Sequence, residues 1–155
     1  MIAVRYILLL ALAFVLQTTW VDSIKIGSVK PDLLIVALSF VALRSGPVVG
    51  AYTGLGLGIF QDLYMPADLG VNALAKSLIG AVFGYSHTHM VSDSIQVQAA
   101  MIFGAVICHD LIYYVFTSAD VPFEAVKILG RALYTGLISA VFLIGLLIKR
   151  YLFPA

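Results

Sequence analysis

Gly46-Pro47-Val48-Val49-Gly50-Ala51-Tyr52-Thr53-Gly54-Leu55-Gly56-Leu57-Gly58-Ile59-Phe60-Gln61-Asp62 is the stretch that decides the fold. Gly46, Gly50, Gly54 and Gly58 recur every fourth residue within an apolar span that ends at Asp62. Each glycine weakens the interior of a helix in water. In lipid the same ladder lets two helix backbones approach and pack by van der Waals contact. The ladder therefore predicts a membrane bundle built on close contact between helices.

Composition agrees with lipid as the solvent. Of 155 residues, 62% are hydrophobic and 11% charged, and the mean hydropathy is +1.06. A water-soluble domain of this size needs far more charge to cover its surface. The formal net charge of +1 provides no basic field for nucleic acid. Cys108 is the only cysteine, which excludes an intramolecular disulfide and any multi-cysteine metal site. The run from Tyr6 to Leu16 follows Arg5 and resembles a leader, but Gln17-Thr18-Thr19-Trp20 comes after it. That is no small-x-small cleavage pattern, so the run reads as a retained helix with Trp20 as an interfacial anchor.

Outward from the ladder, six hydrophobic segments are expected: Arg5 to Val21, Val29 to Leu43, Pro47 to Tyr64, Val71 to Tyr85, Ile95 to Phe116 and Leu129 to Lys149. The expectation is an all-α, polytopic protein of about six transmembrane helices, forming a single domain over residues 1–155. The second and fourth segments fall short of the roughly 17 residues a crossing requires. Lys30-Pro31-Asp32 starts the second helix, with proline in its first turn and Asp32 at the positive end of the dipole. Ser92-Asp93-Ser94 supplies caps for the fifth. With an even number of spans both termini share one side. Placing them inside makes Arg5, Arg44, Lys149 and Arg150 cytoplasmic and puts Lys25, Lys30 and Lys127 in outer loops, the direction of the positive-inside bias.

The polar residues within these spans are the candidate site. Asn72, Lys76, Gly80 and Gly84 repeat the four-residue period of the third segment. The third and fourth segments are joined by a short turn, so they are antiparallel neighbours whose small faces meet. Asp62 lies just before that turn and Lys76 just after it; the two either pair or are separately solvated at the water boundary. His109 and Asp110 sit well inside the fifth segment, and Arg131 lies early in the sixth. Ionisable groups at that depth normally face the protein interior. Asp62, Lys76, His109, Asp110 and Arg131 thus form a candidate buried polar cluster, either a clasp that fixes helix register or a proton or substrate site. The glycines are equally compatible with an internal contact and with a homodimer.

Catalytic patterns are weak. His87, His89 and Asp93 lie close together in an expected turn, but two histidines at that spacing define no closed metal site. Ser77 and Ser139 have no histidine and acid at telling positions. Gly54-x-Gly56-x-Gly58 lacks the strand and spacing of a dinucleotide loop. The expectation is a protein with no catalytic, metal or cofactor site.

From Lys30 to Gly84 the order and spacing of several pieces are distinctive: Pro31-Asp32-Leu33-Leu34, Leu43-Arg44-Ser45-Gly46-Pro47, the ladder, Asp62-Leu63, Leu69-Gly70-Val71-Asn72-Ala73-Leu74, and Gly80 to Gly84. This region resembles the rod shape-determining MreD family of bacteria. The resemblance implies a multi-pass inner-membrane protein of the peptidoglycan elongation machinery, the elongasome. There it would act as a scaffold that binds MreC and works with the MreB filament, RodA and a class B penicillin-binding protein. It implies a fold similar to the substrate-binding subunits of energy-coupling-factor transporters, and hence an alternative, a vitamin-type transport subunit. The Ala-x-x-x-Ala docking patch of those subunits is not reproduced by Ala3, Ala11 and Ala13. The resemblance also marks Arg44, Gly46, Pro47, Gly50, Gly54 and Asp62 as motif positions for helix packing or partner binding; Gly58, Gly80 and Gly84 continue the same small faces.

Overall fold

The structure, a computed structural model, describes residues 2–21, 23, 25, 29–64, 70–89, 95–117 and 125–152; for residues 2–3, 87–89, 95, 117 and 142–152 it describes the backbone alone. The regular elements among them are six helices: α1 (Ile2–Thr19), α2 (Leu33–Ser45), α3 (Pro47–Tyr64), α4 (Val71–His89), α5 (Ile95–Thr117) and α6 (Ala125–Leu152). The expected caps at Ser92-Asp93-Ser94 lie outside the described residues.

The short helix α2 is the central pillar. Leu34 to Ser39 and Val41 to Leu43 are buried without a polar face, the pattern of a helix surrounded on every side. It begins at Leu33 rather than Val29. Asp32 has extended backbone and its Oδ1 accepts the Ile35 N–H at 3.0 Å, so it is the N-cap; Pro31 stands before the helix instead of in its first turn. At 13 residues, α2 is only about 20 Å long. Its C-terminus is stopped by Gly46, whose φ of 87° is in the left-handed region and whose N–H bonds to the Ala42 carbonyl. Pro47 then opens α3 at once, so a single residue separates the two helices. Arg44, in the last turn of α2, lies over the Phe40 ring at 4.1 Å.

The α3–α4 pair is the tightest contact in the fold. A Cβ added at Gly50 would strike the Gly80 carbonyl, one at Gly54 the backbone of Lys76 and Ser77, and one at Gly58 the backbone of Asn72 and Ala73. At the far end Gly84 faces Gly46 and Pro47. Each four-residue step down α3 thus meets a four-residue step back along α4. The ladder is consumed by this internal contact, and that surface is closed to a second copy. Gly56, one residue out of phase, has nothing within 4 Å of an added Cβ.

Two boundaries differ from expectation for a common reason. Helix α4 runs on to His89, which places His87 and His89 in its last turn instead of in a loop, and α6 spans 28 residues from Ala125. Neither extension contains a proline: Ser86-His87-Thr88-His89 continues α4, and Ala125-Val126-Lys127-Ile128 adds a turn to the start of α6. α5 and α6 pack side by side, and α4 and α2 form the wall on which they rest. α1 lies across α2, with Phe14 meeting Phe60 of α3 edge-on at 6.4 Å.

The outside of the bundle is apolar. Leu74, Leu78, Val82 and Tyr85 line the outer face of α4, and Val126, Leu129, Leu133, Leu137 and Val141 that of α6. Within α5, Gln96–Phe116 is the one stretch among the described residues long and apolar enough by itself to cross a membrane. Val4–Thr19 and Leu33–Ser45 are shorter apolar helices.

Candidate functional site

Inside this apolar shell lies a cluster of charged side chains. Lys76 and Asp32 are fully buried, and His109, Asp110, Asp62 and Asn72 are nearly so. Arg131 keeps 28% of its side chain exposed. Each comes from a different local setting. Asp32 is there because α2 begins only at Leu33, so its N-cap residue is buried inside the fold. Lys76 is there because its backbone rests on Gly54, leaving its side chain to extend towards α2 and α5.

Asp32 Oδ2 accepts a hydrogen bond from Arg131 Nη2 at 3.0 Å and lies 3.7 Å from Lys76 Nζ. Arg131 Nη1 donates to Asp110 Oδ1 at 2.8 Å. His109 Nδ1 lies 3.1 Å from the same Asp110 oxygen, and Lys76 Nζ is 3.1 Å from His109 Nε2. The carboxylate only accepts and the ammonium only donates. With the Asp110 carboxylate accepting, His109 Nδ1 carries a hydrogen; Nε2 faces the Lys76 ammonium. Asn72 Oδ1 lies 3.2 Å from Nε2. Two carboxylates, Asp32 and Asp110, face two cations, Lys76 and Arg131, with the His109 imidazole among them. A buried cluster of this kind is tolerable only when its charges cancel and its hydrogen bonds are made.

Asp62 sits apart. Its Oδ2 accepts the N–H of Gly70 at 3.0 Å and of Ala73 at 3.1 Å. Its Oδ1 accepts the N–H of Asn72 at 3.3 Å and the Asn72 side-chain amide at 2.9 Å. It therefore caps the N-terminus of α4 from the end of α3, where the helix dipole favours a negative charge. Asp62 and Lys76 neither pair nor lie solvated at the water boundary: both are buried, and Lys76 pairs with Asp32. Register is the reason. Lys76 lies level with Gly54, two turns or about 12 Å along α3 from Asp62. Proximity to the same turn in sequence did not translate into proximity in space.

Asp32, Thr135 and Gln17 belong to the site although they are outside the cluster expected from the sequence, and Asn72 joins it by bridging Asp62 and His109. Asp32 carried a legible signal as a cap; its long-range partners did not show in the sequence. The backbone entering α2 is unwound, and its peptide groups are served by side chains. Gln17 Nε2 donates to the Pro31 carbonyl at 3.2 Å while its Oε1 accepts the Leu33 N–H at 2.8 Å. Thr135 Oγ1 accepts the Asp32 N–H at 3.0 Å. A buried loop without such partners would be costly.

One apolar groove of about 130 Å³ lies between α1, α2 and α6, bounded by Leu9, Ala13, Leu16, Val36, Ala37 and Ile138 among others. It is separate from the charged cluster. Among the described residues no group of three or more His, Cys, Asp or Glu side chains is arranged to hold a metal ion. The side chains of His87 and His89, and Asp93, lie outside them.

No curated protein and no solved structure matches the chain. A family model does, that of the rod shape-determining protein MreD, and it covers residues 1–153. An apolar exterior around a charge-balanced interior is what a membrane protein of that family requires. The chain belongs to the MreD family of rod shape-determining membrane proteins.

Proposed function

We propose that this protein is a non-catalytic, multi-pass scaffold of the bacterial inner membrane, its termini in the cytoplasm, that maintains rod shape by binding MreC. Through MreC it helps couple MreB filaments to the peptidoglycan synthases RodA and a class B penicillin-binding protein. The observation that carries this reading is the family match over residues 1–153. The charged side chains bond to one another inside the bundle, as in a clasp that holds register, while the outer faces of α1, α3, α4 and α6 offer apolar stripes on which partner transmembrane helices or lipid can lie. The alternative, a small-molecule-binding subunit of a vitamin-type transporter with the fold of energy-coupling-factor subunits, places a ligand beside Asp62, Lys76, His109 and Arg131.

Affinity purification of the full chain from native membranes tests this. Recovery of MreC with other elongation proteins, and rounding of cells depleted of the chain, are the expected results. Recovery of an ATPase module in their place would support the transporter reading and overturn this one.

A further inference from the structure

Lys76 Nζ on α4 and His109 Nε2 on α5 stand 3.1 Å apart, and both side chains are buried. Two basic nitrogens this close share one proton for the same reason that two carboxylates about 3 Å apart do: like charges at that distance are costly. The neighbours of the two nitrogens make opposite demands on that proton. Among the described residues the hydrogen-bond partner of Lys76 Nζ is His109 Nε2; Asp32 Oδ2 stands at 3.7 Å, an ion pair beyond hydrogen-bond reach. His109 Nε2 also faces Asn72 Oδ1 at 3.2 Å. Asn72 cannot turn that oxygen away, because its Nδ2 donates to Asp62 Oδ1 at 2.9 Å and a carboxylate only accepts. The Asn72 oxygen calls for hydrogen on Nε2, whereas a Lys76 ammonium calls for a bare Nε2.

Arg131 makes both placements electrically acceptable. Its Nη1 donates to Asp110 Oδ1 at 2.8 Å and its Nη2 to Asp32 Oδ2 at 3.0 Å. With the proton on Lys76, the ammonium serves Asp32 and Arg131 serves Asp110. With the proton on His109, the imidazolium serves Asp110 through Nδ1, 3.1 Å away, and Arg131 serves Asp32. Each carboxylate keeps a cation in both forms, so no buried charge is left uncompensated. The charged groups around the pair are thus Asp32 before α2, Asp110 on α5 and Arg131 on α6, with Asp62 at the end of α3 behind Asn72.

We infer that Lys76 and His109 form a proton-binding site, which holds one proton between Nζ and Nε2 and passes it from α4 to α5. In the transfer one N–H bond at Nζ breaks, its electron pair stays on Nζ as the lone pair of an amine, and one N–H bond forms at Nε2. No co-reactant is required and the charge of the cluster does not change. The ring then exchanges Lys76 for Asn72, one helical turn away on α4, as its hydrogen-bond partner. The position of the proton therefore sets which residue of α4 bonds to the His109 ring. The inference goes beyond the scaffold reading and stands without it.

The test is nitrogen-15 solid-state NMR of the full chain in lipid vesicles at neutral pH, with His87→Gln and His89→Gln leaving His109 as the only histidine. Chemical shifts tell a bare ring nitrogen from one bearing hydrogen, and an amine from an ammonium. The expected result is hydrogen on Nδ1 throughout, with Nε2 and Lys76 Nζ each partly protonated and changing in opposite directions with temperature. Asn72→Ala removes the acceptor and lowers the Nε2–H population about fivefold, the weight of one net hydrogen bond. Lys76→Met removes the rival base, and His109 then carries hydrogen on both ring nitrogens. A proton fixed on either nitrogen of the parent at every temperature would overturn the inference. So would full protonation of both nitrogens at once, or a His109 that stays neutral in Lys76→Met. The parent spectrum decides by itself if either variant fails to fold.

Discussion

Asp32 and Arg131, 99 residues apart in the chain, are joined by a 3.0 Å hydrogen bond between carboxylate and guanidinium. One carboxylate thus caps α2 through Ile35, anchors α6 and faces Lys76 of α4. Three helices depend on this side chain.

Its removal should be the most damaging single change in the cluster. Asp32→Ala deletes an N-cap, worth about 0.5–2 kcal/mol, and leaves Lys76 without its ion-pair partner, a loss of roughly 3–5 kcal/mol for a buried pair. Asp32→Asn keeps an acceptor for the Ile35 N–H but loses the charge and puts an NH2 donor where Oδ2 accepts from Arg131. Thermal unfolding in nanodiscs should rank wild type above Asp32→Asn and Asp32→Asn above Asp32→Ala. Equal midpoints would show the cluster to be energetically idle.

Gly54→Ala and Gly56→Ala should separate sharply although the residues are two apart. A methyl at Gly54 collides with the Lys76 and Ser77 backbone, so α3 and α4 must move apart; at Gly56 it enters open space. The first substitution should lower the unfolding midpoint strongly. The second should leave it unchanged or raise it, by up to the roughly 1 kcal/mol of helix propensity that alanine has over glycine. Equal effects would refute the internal use of the ladder.

Asp62→Ala should fray the start of α4 locally. The Gly70, Asn72 and Ala73 amides lose their carboxylate acceptor, and hydrogen bonds to charged groups are worth about 1.5–3 kcal/mol each. Amide hydrogen exchange at these three positions should accelerate at least about tenfold, with exchange in α6 unchanged. Unaltered protection at the α4 start would rule out the cap.

Gln17 should behave as a two-handed clip. Gln17→Leu orphans both the Pro31 carbonyl and the Leu33 N–H, costing about 1–3 kcal/mol for each buried group left unsatisfied. Gln17→Glu retains the acceptor for Leu33 and loses the donor to Pro31, so its unfolding midpoint should fall between those of wild type and Gln17→Leu. Equal midpoints for the two variants would show that only one bond matters.

Solvent, helix content and the α3–α4 contact could all be read along the chain, because they depend on composition and on periodicity within one segment. Gly50, Gly54, Gly58, Gly80 and Gly84 announce a close backbone approach wherever they fall on facing helices. The identity of the polar partners could not be read in that way. Pairing depends on the register between helices and on where a helix stops, and both are properties of the assembled bundle. Asp62 and Lys76 flank one turn yet lie two helical turns apart, while Asp32 and Arg131 are distant in sequence and in contact. The sequence by itself determined a lipid-embedded bundle with a close-packed pair at its heart; only the tertiary structure decided which charges cancel, because ion pairing requires side chains to meet within a few ångströms.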